Sequence, residues 1–191
     1  ISNYSSGKMG YALAELASLY GAQVTLVSGP VQLEPPDQVE LVRVKSSEEM
    51  YQAVLARYAQ MDVVIKAAAV ADYRPKQPAQ QKIKKEEQDL VLHLEKTTDI
   101  LQELGKQKQG QILIGFAAET NDLEHYALEK IKRKNLDFIV ANNVTEEGAG
   151  FGTDTNIVTI ISKTGQKTQL PLLSKKEVAQ KILQTVAESY V

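Results

Sequence analysis

Hydrophobic positions early in the chain, Met9, Leu13, Leu16, Ala17 and Tyr20, recur at the spacing of one helix face, and Gly21 stands where a helix-ending glycine belongs. "QVTLVSG" then predicts a short β-branched strand that stops at Gly29-Pro30. "VELVRV" (39–44) predicts another. Ser46 and Glu49 form a capping-box signature ahead of the helix "SEEMYQAVLARYAQ". "MDVVIKAAAV" (61–70) is a continuous apolar run, as expected of a strand covered on both faces. The stretch 71–88 breaks this rhythm with two prolines, many amides and mixed charge, so it predicts a long exposed excursion. Alternation resumes in "LVLHLEK", a strand, and "TDILQELGKQ" is a helix with Thr98 or Asp99 as its cap. "ILIGFAAE" (strand), "NDLEHYALEKIKRKN" (helix) and "DFIVANN" (buried strand) follow. "NIVTIISKTGQKTQLPLL" predicts a hairpin about Thr164-Gly165, and Ser174 caps a final helix.

Strand and helix alternate through the first two-thirds. This predicts an α/β fold with a Rossmann-like three-layer arrangement, a mostly parallel sheet and a C-terminal antiparallel hairpin, all in a single domain over 1–191. In such sheets ligands sit beyond the carboxyl ends of the strands. The candidate site segments are therefore the loop at 1–10 and the ends of "VIKAAAVAD", "ILIGFAAET" and "FIVANNV", where polar residues gather.

Composition narrows the function classes. A chain of 191 residues with 22 Lys+Arg against 24 Asp+Glu has a net charge of −2, which offers no field for nucleic acid or an acidic membrane. It has no cysteine, which excludes disulfides and thiolate metal sites and fits a reducing cytoplasm. No apolar run reaches the length of a membrane span, and the first residues lack the pattern of a signal peptide. The reading is a soluble cytoplasmic globule. His93 and His125 have no partner pattern for metal or nucleophilic work, so the metal ligands remain unknown.

The opening "ISNYSSGKMG" supplies Ser5, Ser6 and Gly7 ahead of a helix, and Gly10 within it. Backbone N–H groups at such a helix start suit an anion. It is not a Walker A loop, because Lys8 is followed by Met9 and no glycine precedes Gly7. A plain serine-capped helix is the bland alternative. A short-chain nicotinamide dehydrogenase is another, since Tyr126 and Lys130 make a Tyr-x-x-x-Lys pair. Against it, "VSGP" ends the second strand with no acid for a ribose. A non-catalytic nucleotide-binding domain is a third.

Taken in order, "ISNYSSGKMG", "VTLVSGPV", "AAAVADYRPK", "KIKK", "TTDIL", "GFAAET", "KRKNLDFIVANNV" and "FGTDTN" resemble bacterial phosphopantothenoylcysteine synthetase over essentially the whole chain. The resemblance implies a two-step ligation with CTP as co-substrate and Mg²⁺ as its cation. The carboxylate of 4′-phosphopantothenate becomes an acyl-cytidylate with loss of pyrophosphate, and the amine of L-cysteine then displaces CMP. It implies Asn3 at the acyl group and Lys82 on a flap at about 72–88 that closes over the triphosphate, these two being the catalytic residues. Lys66, Ala67, Ala68, Asp72, Thr98, Asp99, Ile100, Leu101, Phe116, Lys130 and Lys134 would meet the nucleotide. Ser5, Ser6, Gly7 and Asn142 would join Asn3 around phosphopantothenate. "KIKK" continues into Lys85, Glu86 and Glu87, which with Lys84 read as a solvated charge run.

The resemblance further implies a homodimer, a fused or separate phosphopantothenoylcysteine decarboxylase, and a strand and glycine-rich turn ahead of Ile1 that the sequence lacks. On that expectation the central sheet is short of an interior member. CTP and ATP are not distinguished by the residues themselves.

Overall fold

A computed structural model describes residues 5–79, 81–84, 90–119, 123–143 and 153–189. Asn3, Lys85, Glu86, Glu87 and the first two residues of "FGTDTN", Phe151 and Gly152, lie outside them. In chain order the elements are α1 (Lys8–Leu19), β1 (Val24–Ser28), β2 (Val39–Arg43), α2 (Ser47–Tyr58), β3 (Val63–Lys66), β4 (Tyr73–Pro75), β5 (Leu94–Lys96) and α3 (Ile100–Gln107). β6 (Ile112–Glu119), α4 (Leu123–Lys134), β7 (Phe138–Asn143), β8 (Thr155–Asn156), β9 (Val158–Ser162), β10 (Lys167–Gln169), β11 (Leu173–Ser174) and α5 (Lys175–Glu188) follow.

Caps set the helix limits much as their side chains dictate. Gly21, at φ 89°, ends α1, with the Ala22 N–H on the Ala17 carbonyl. Ser174 and Glu177 complete a reciprocal capping box on α5. At α2 the Ser46 hydroxyl takes the Glu49 N–H, while the Glu49 carboxylate takes the N–H of Lys45. Asp99, not Thr98, caps α3 through the Gln102 N–H.

The main sheet runs β10-β9-β7-β6-β3, with β3, β6 and β7 parallel, β9 antiparallel to β7, and β10 antiparallel to β9 in turn. Ile114, Val140, Val158 and Ile160 pack one of its faces against α1 and α5. Leu113, Ala117, Ile139 and Ile161 pack the other against α2, α3 and α4. Side chains alternate along each strand, so each strand feeds both cores. The Thr164-Gly165 turn joins β9 to β10, with Gly165 at φ 85°.

β1 and β2 form a separate parallel pair. Among the described residues β1 pairs only with β2, and β3 only with β6. The two sheets nevertheless share their cover. α1 lies on β1, and a Cβ at Gly10 would stand 3.9 Å from that of Ala67, just past β3. Val27 and Val42 join the core that Val64 of β3 also enters.

The stretch 71–88 is not wholly irregular. It begins as β4, which pairs antiparallel with β5. The predicted strand over "LVLHLEK" narrows to Leu94–Lys96, with one more ladder bond from the Lys76 N–H to the His93 carbonyl. The base of this hairpin is pinned by Thr97. Its hydroxyl donates to the Ala71 carbonyl at 2.6 Å, and its N–H to the Asp72 carbonyl at 2.9 Å.

At the amino end of β7, Asp137 holds three elements together. Its carboxylate takes Lys108 Nζ at 2.5 Å, Lys163 Nζ at 2.9 Å and the Leu113 N–H at 2.8 Å. Burial pushes its pKa up, but these donors outweigh burial and hold it below the ordinary aspartate value.

Candidate active site

The carboxyl end of β3 gathers the largest set of the predicted nucleotide residues. Lys66 is the last residue of the strand. It pairs with Gly115, and its Nζ curls back to donate to the Ala68 carbonyl at 3.1 Å. A side chain at residue 115 would meet Leu101 Cδ1 at 2.9 Å and Leu136 Cδ1 at 3.2 Å, so glycine is what lets α3 lie close beside Lys66. α3 points its first turn at the same place. There Asp99 accepts Lys134 Nζ at 2.7 Å, from the last residue of α4.

The electrostatics of this cluster are tense. Burial lowers the pKa of Lys66, the Lys134 ammonium lowers it further, and Asp99 and Asp72 pull the other way. Burial pushes Asp99 up, yet Lys134, the Gln102 N–H and Lys66 hold it below its ordinary value. Two cations are thus held near each other, with Asp99 paired to Lys134 and both Asp99 and Asp72 acting on Lys66. A polyanion arriving here would relieve the repulsion.

Ile100 and Leu101 are buried at 3% and 5% exposure, in the core under Gly115. What they can offer a ligand is their N–H groups, which belong to a helix start with no intrahelical acceptor. Thr98 is half-buried beside them, and Asp72 and Ala68 are exposed. Lys130 lies one turn before Lys134 on α4 and is half-buried.

Phe116 takes the other face of the sheet. With Ala67 it packs on the core shared by α1 and α5, so its ring and the ammonium of Lys66 lie on opposite sides at the strand ends. Asn142, near the carboxyl end of β7, buries an Oδ1 with no hydrogen-bond partner among the described residues. Buried side-chain oxygens are nearly always paired, so an unpaired one beside strand ends marks a place where a ligand donor would fit.

The opening loop reaches the same end of the molecule. Tyr11 on α1 donates its hydroxyl to Ser28 Oγ at 3.2 Å, fixing the start of α1 to the carboxyl end of β1. Gly7 holds the N-cap position in the left-handed conformation at φ 78°, and the first turn holds no acid. The Ser6 hydroxyl takes the Lys8 N–H at a long 3.5 Å, so serine contributes to the helix start from outside the N-cap position. A Cβ at residue 7 would stand 2.9 Å from Val31 Cγ1, so the loop after β1 closes on glycine alone. Ser5 is exposed and Ser6 half-buried.

On the flank, Lys8 meets Asp154 at 2.7 Å and Lys176 meets Glu15 at 2.8 Å around a cleft of about 500 Å³. Asp154 and Asn156 belong to the described part of "FGTDTN", residues 153–156. Asn156 is buried, with its Oδ1 taking the Ile157 N–H.

Lys82 is exposed, on the segment 81–84 beyond β4. Tyr126 is 48% exposed and packs its ring edge against His125. Among the described residues no group of three His, Cys, Asp or Glu could hold a metal, and no helix is long and apolar enough to cross a membrane.

Three residues that shape the site escaped the sequence reading: Thr97, Gly105 and Asn135. The signal for Gly105 was available, because a glycine inside a helical pattern marks close packing. Asn135 follows a basic helix end, where a left-handed residue is common.

The chain is similar to known proteins over nearly its whole length. The profile of the family described as DNA/pantothenate metabolism flavoprotein C-terminal domain matches residues 1–190. The chain is 55% identical over 186 residues to the coenzyme A biosynthesis bifunctional protein CoaBC of Bacillus subtilis (strain 168), covering 97% of this chain and 46% of that protein. It is 47% identical over 188 residues to a cysteine/cysteine sulfinic acid decarboxylase of an unknown prokaryotic organism, covering 97% and 52%. It spans about half the length of these curated relatives. A crystal structure of the C-terminal domain of CoaBC superposes with a TM-score of 0.85 at 48% identity, over 100% of this chain and 86% of that one. A Cab2 mutant in complex with phosphopantothenate-cysteine shares the fold, with a TM-score of 0.75 at 15% identity over 100% and 82%.

Proposed function

Because the chain belongs to the family of DNA/pantothenate metabolism flavoprotein C-terminal domains, we propose that it is the ligase domain of a coenzyme A biosynthesis protein, joining 4′-phosphopantothenate to L-cysteine with CTP. The observation that carries this reading is the half-buried Lys66–Asp99–Lys134 cluster at the carboxyl end of β3. It is a place for a triphosphate, near the carboxyl end of β1 where the glycine-capped start of α1, which holds no acid, can take a second anion. Relatives named for coenzyme A biosynthesis, and a fold-mate bound to phosphopantothenate-cysteine, supply the chemistry to test.

In this mechanism the N–H groups around Ser6, Gly7 and Lys8 hold the phosphate of phosphopantothenate. Asn3 and Asn142 steady its carboxylate by donating amide hydrogens without adding charge. Lys66 and Lys134, with Lys130 a turn away, bind the triphosphate. The N–H groups of Ile100 and Leu101 take further oxygens, and the small side chains of Ala67 and Ala68 let the nucleoside approach the backbone, with Phe116 and Asp72 at its edges. A carboxylate oxygen attacks the α-phosphorus and the bond to pyrophosphate breaks, with Lys82 closing over the departing charge. The cysteine nitrogen then attacks the acyl carbon, the bond to CMP breaks, and the nitrogen loses a proton. Mg²⁺ would neutralise triphosphate charge. The described residues offer it no protein cage, which suits an ion carried mainly on substrate phosphates, with Asp72 as the exposed carboxylate at hand.

We further propose that a parallel strand fills the position between the edges of β1 and β3, which have no strand partner among the described residues. Calorimetric titration with CTP, ATP and NADPH, each with Mg²⁺, tests the reading. CTP should bind saturably and ahead of ATP, with no heat from NADPH. Binding of NADPH without CTP would overturn it and return attention to Tyr126 and Lys130.

The same reading includes a homodimer, and the β4–β5 hairpin is where we place its contact. Arg74 on one face pairs with Glu95 at 2.8 Å and with Glu48 of α2 at 3.6 Å, so the charged face turns to its own domain. Tyr73, Leu92 and Leu94 on the other face are 48%, 56% and 44% exposed, with Leu90 and Val91 bare just ahead. A hairpin with its apolar side in water is poorly stable alone, and a largely apolar patch of this kind, with Lys96 at its edge opposite Tyr73, fits a copy of itself across a two-fold axis. Sedimentation should show a dimer that Leu92→Asp dissociates. A wild-type monomer at micromolar concentration would remove this contact.

A further inference from the structure

Gly105 and Asn135 lie outside the cluster described above, and no functional role attaches to them in the reading so far. α3 and α4 make their closest approach at Gly105. A Cβ there would fall inside the van der Waals radius of the Lys134 carbonyl oxygen, and would stand 2.8 Å from the carbonyl carbon and 3.4 Å from Asn135 Cβ. No side chain fits, so glycine sets how near the end of α4 comes.

Asn135 then locks the contact. It sits at φ 52°, in the left-handed region that closes a helix, and its Nδ2 donates to the Gly105 carbonyl at 3.1 Å. Its own carbonyl takes Lys108 Nζ at 3.2 Å, and the next residue's N–H returns to Ile131 at 3.0 Å. The residue immediately before this lock is Lys134, whose ammonium reaches up α3 to Asp99 at 2.7 Å. With its backbone pinned at Gly105 and its head at Asp99, the side chain of Lys134 stays 17% exposed and close enough to depress Lys66.

We infer that Gly105 and Asn135 are positioning residues for triphosphate binding: they clasp the end of α4 against α3 and so hold Lys134 beside Lys66 and Asp99. The inference rests on the reading that Lys134 meets the triphosphate. It goes beyond that reading by assigning the placement of the cation to two uncharged residues that touch no ligand. The clasp works against charge repulsion. Left to itself, a flexible lysine would swing away from a neighbouring ammonium into water, and binding would then have to recruit it again at an entropic cost.

A double-mutant cycle on CTP affinity, measured by calorimetry with Mg²⁺, separates positioning from plain helix packing. Gly105→Ala should weaken CTP about tenfold when Lys134 is present, and by less than about twofold in the Lys134→Gln background. If Gly105→Ala does not fold, Asn135→Gly decides the matter. It keeps the left-handed backbone, deletes only the amide bond to Gly105, and should cost about threefold with the same dependence on Lys134. Losses that simply add in the double variants, or unchanged affinity in Gly105→Ala or Asn135→Gly while Lys134→Gln is impaired, would overturn the positioning role alone. Unchanged affinity in Lys134→Gln itself would remove the triphosphate site, and this inference with it.

Discussion

Pyrophosphate release by a Lys82→Gln variant is expected to slow about 100-fold, with CTP affinity changed by less than about threefold. The glutamine keeps an N–H donor and most of the length, so the variant removes the charge and little else. Lys82 is exposed, on the segment beyond β4, and packs into no core, so the fold should tolerate the change. Its part in the proposed mechanism comes when negative charge moves onto the leaving pyrophosphate. A preorganised cation aimed at charge that develops in the transition state contributes far more to the rate than to ground-state binding. The half-buried lysines Lys66 and Lys134 should behave the opposite way, with losses that appear first in affinity. Single-turnover release of pyrophosphate, beside calorimetry on the same preparation, makes the comparison. Release at the wild-type rate would take Lys82 out of the mechanism and leave the segment as a solvated charge run.

The second large effect is on stability. An Asp137→Ala variant should lose about 3 kcal/mol, because it strips a buried carboxylate from Lys108 and from the Leu113 N–H and leaves both underfoot in the core. For a domain of this size that is roughly 6 to 12 °C in Tm. The lysine side chain of Lys108 is only 13% exposed, so water cannot easily take the place of the carboxylate. Lys163, at 62% exposure, contributes less.

The effect carries a pH signature. The folded pKa of Asp137 lies below that of the unfolded chain, so its stabilisation is complete above the unfolded value, near pH 4, and fades as pH falls through the folded one. Urea unfolding should therefore show the wild type losing its advantage over Asp137→Ala on the acid side. A constant gap down to the lowest pH would mean that the carboxylate is not what matters there.

Much of the architecture is written in short-range chemistry. Gly21, Ser46, Asp99 and Ser174 end or start helices through bonds to residues within a turn or so of themselves, and Thr164-Gly165 turns a hairpin for the same local reason. Apolar runs such as 61–70 announce strands because burial on both faces leaves no room for polar alternation. The site was legible as a set of segments, since strand ends in an α/β sheet are where ligands go. Its tertiary arrangement was not. That Lys134 reaches Asp99 depends on a glycine 29 positions before the lysine in a different helix. That Phe116 and Lys66 occupy opposite faces depends on strand register, where one step reverses every side chain. The hairpin of β4 and β5 was missed in part because its short strands are held by the hydroxyl of Thr97, 26 residues from its acceptor.

The division of the sheet bears on how fast such a domain can work. The loop proposed to hold the carboxylate rides on α1 and the β1–β2 pair, and the cluster proposed to hold the triphosphate rides on β3, α3 and α4. The attacking oxygen and the phosphorus it attacks are therefore presented by two platforms, and their separation is fixed by whatever holds those platforms in register. Effective molarity between well-held groups can reach about 10⁵ to 10⁸ M, but displacement by about 1 Å can cost on the order of 100-fold. The strand proposed between β1 and β3 would in this sense be the ruler of the reaction, setting the distance that the chemistry must cross.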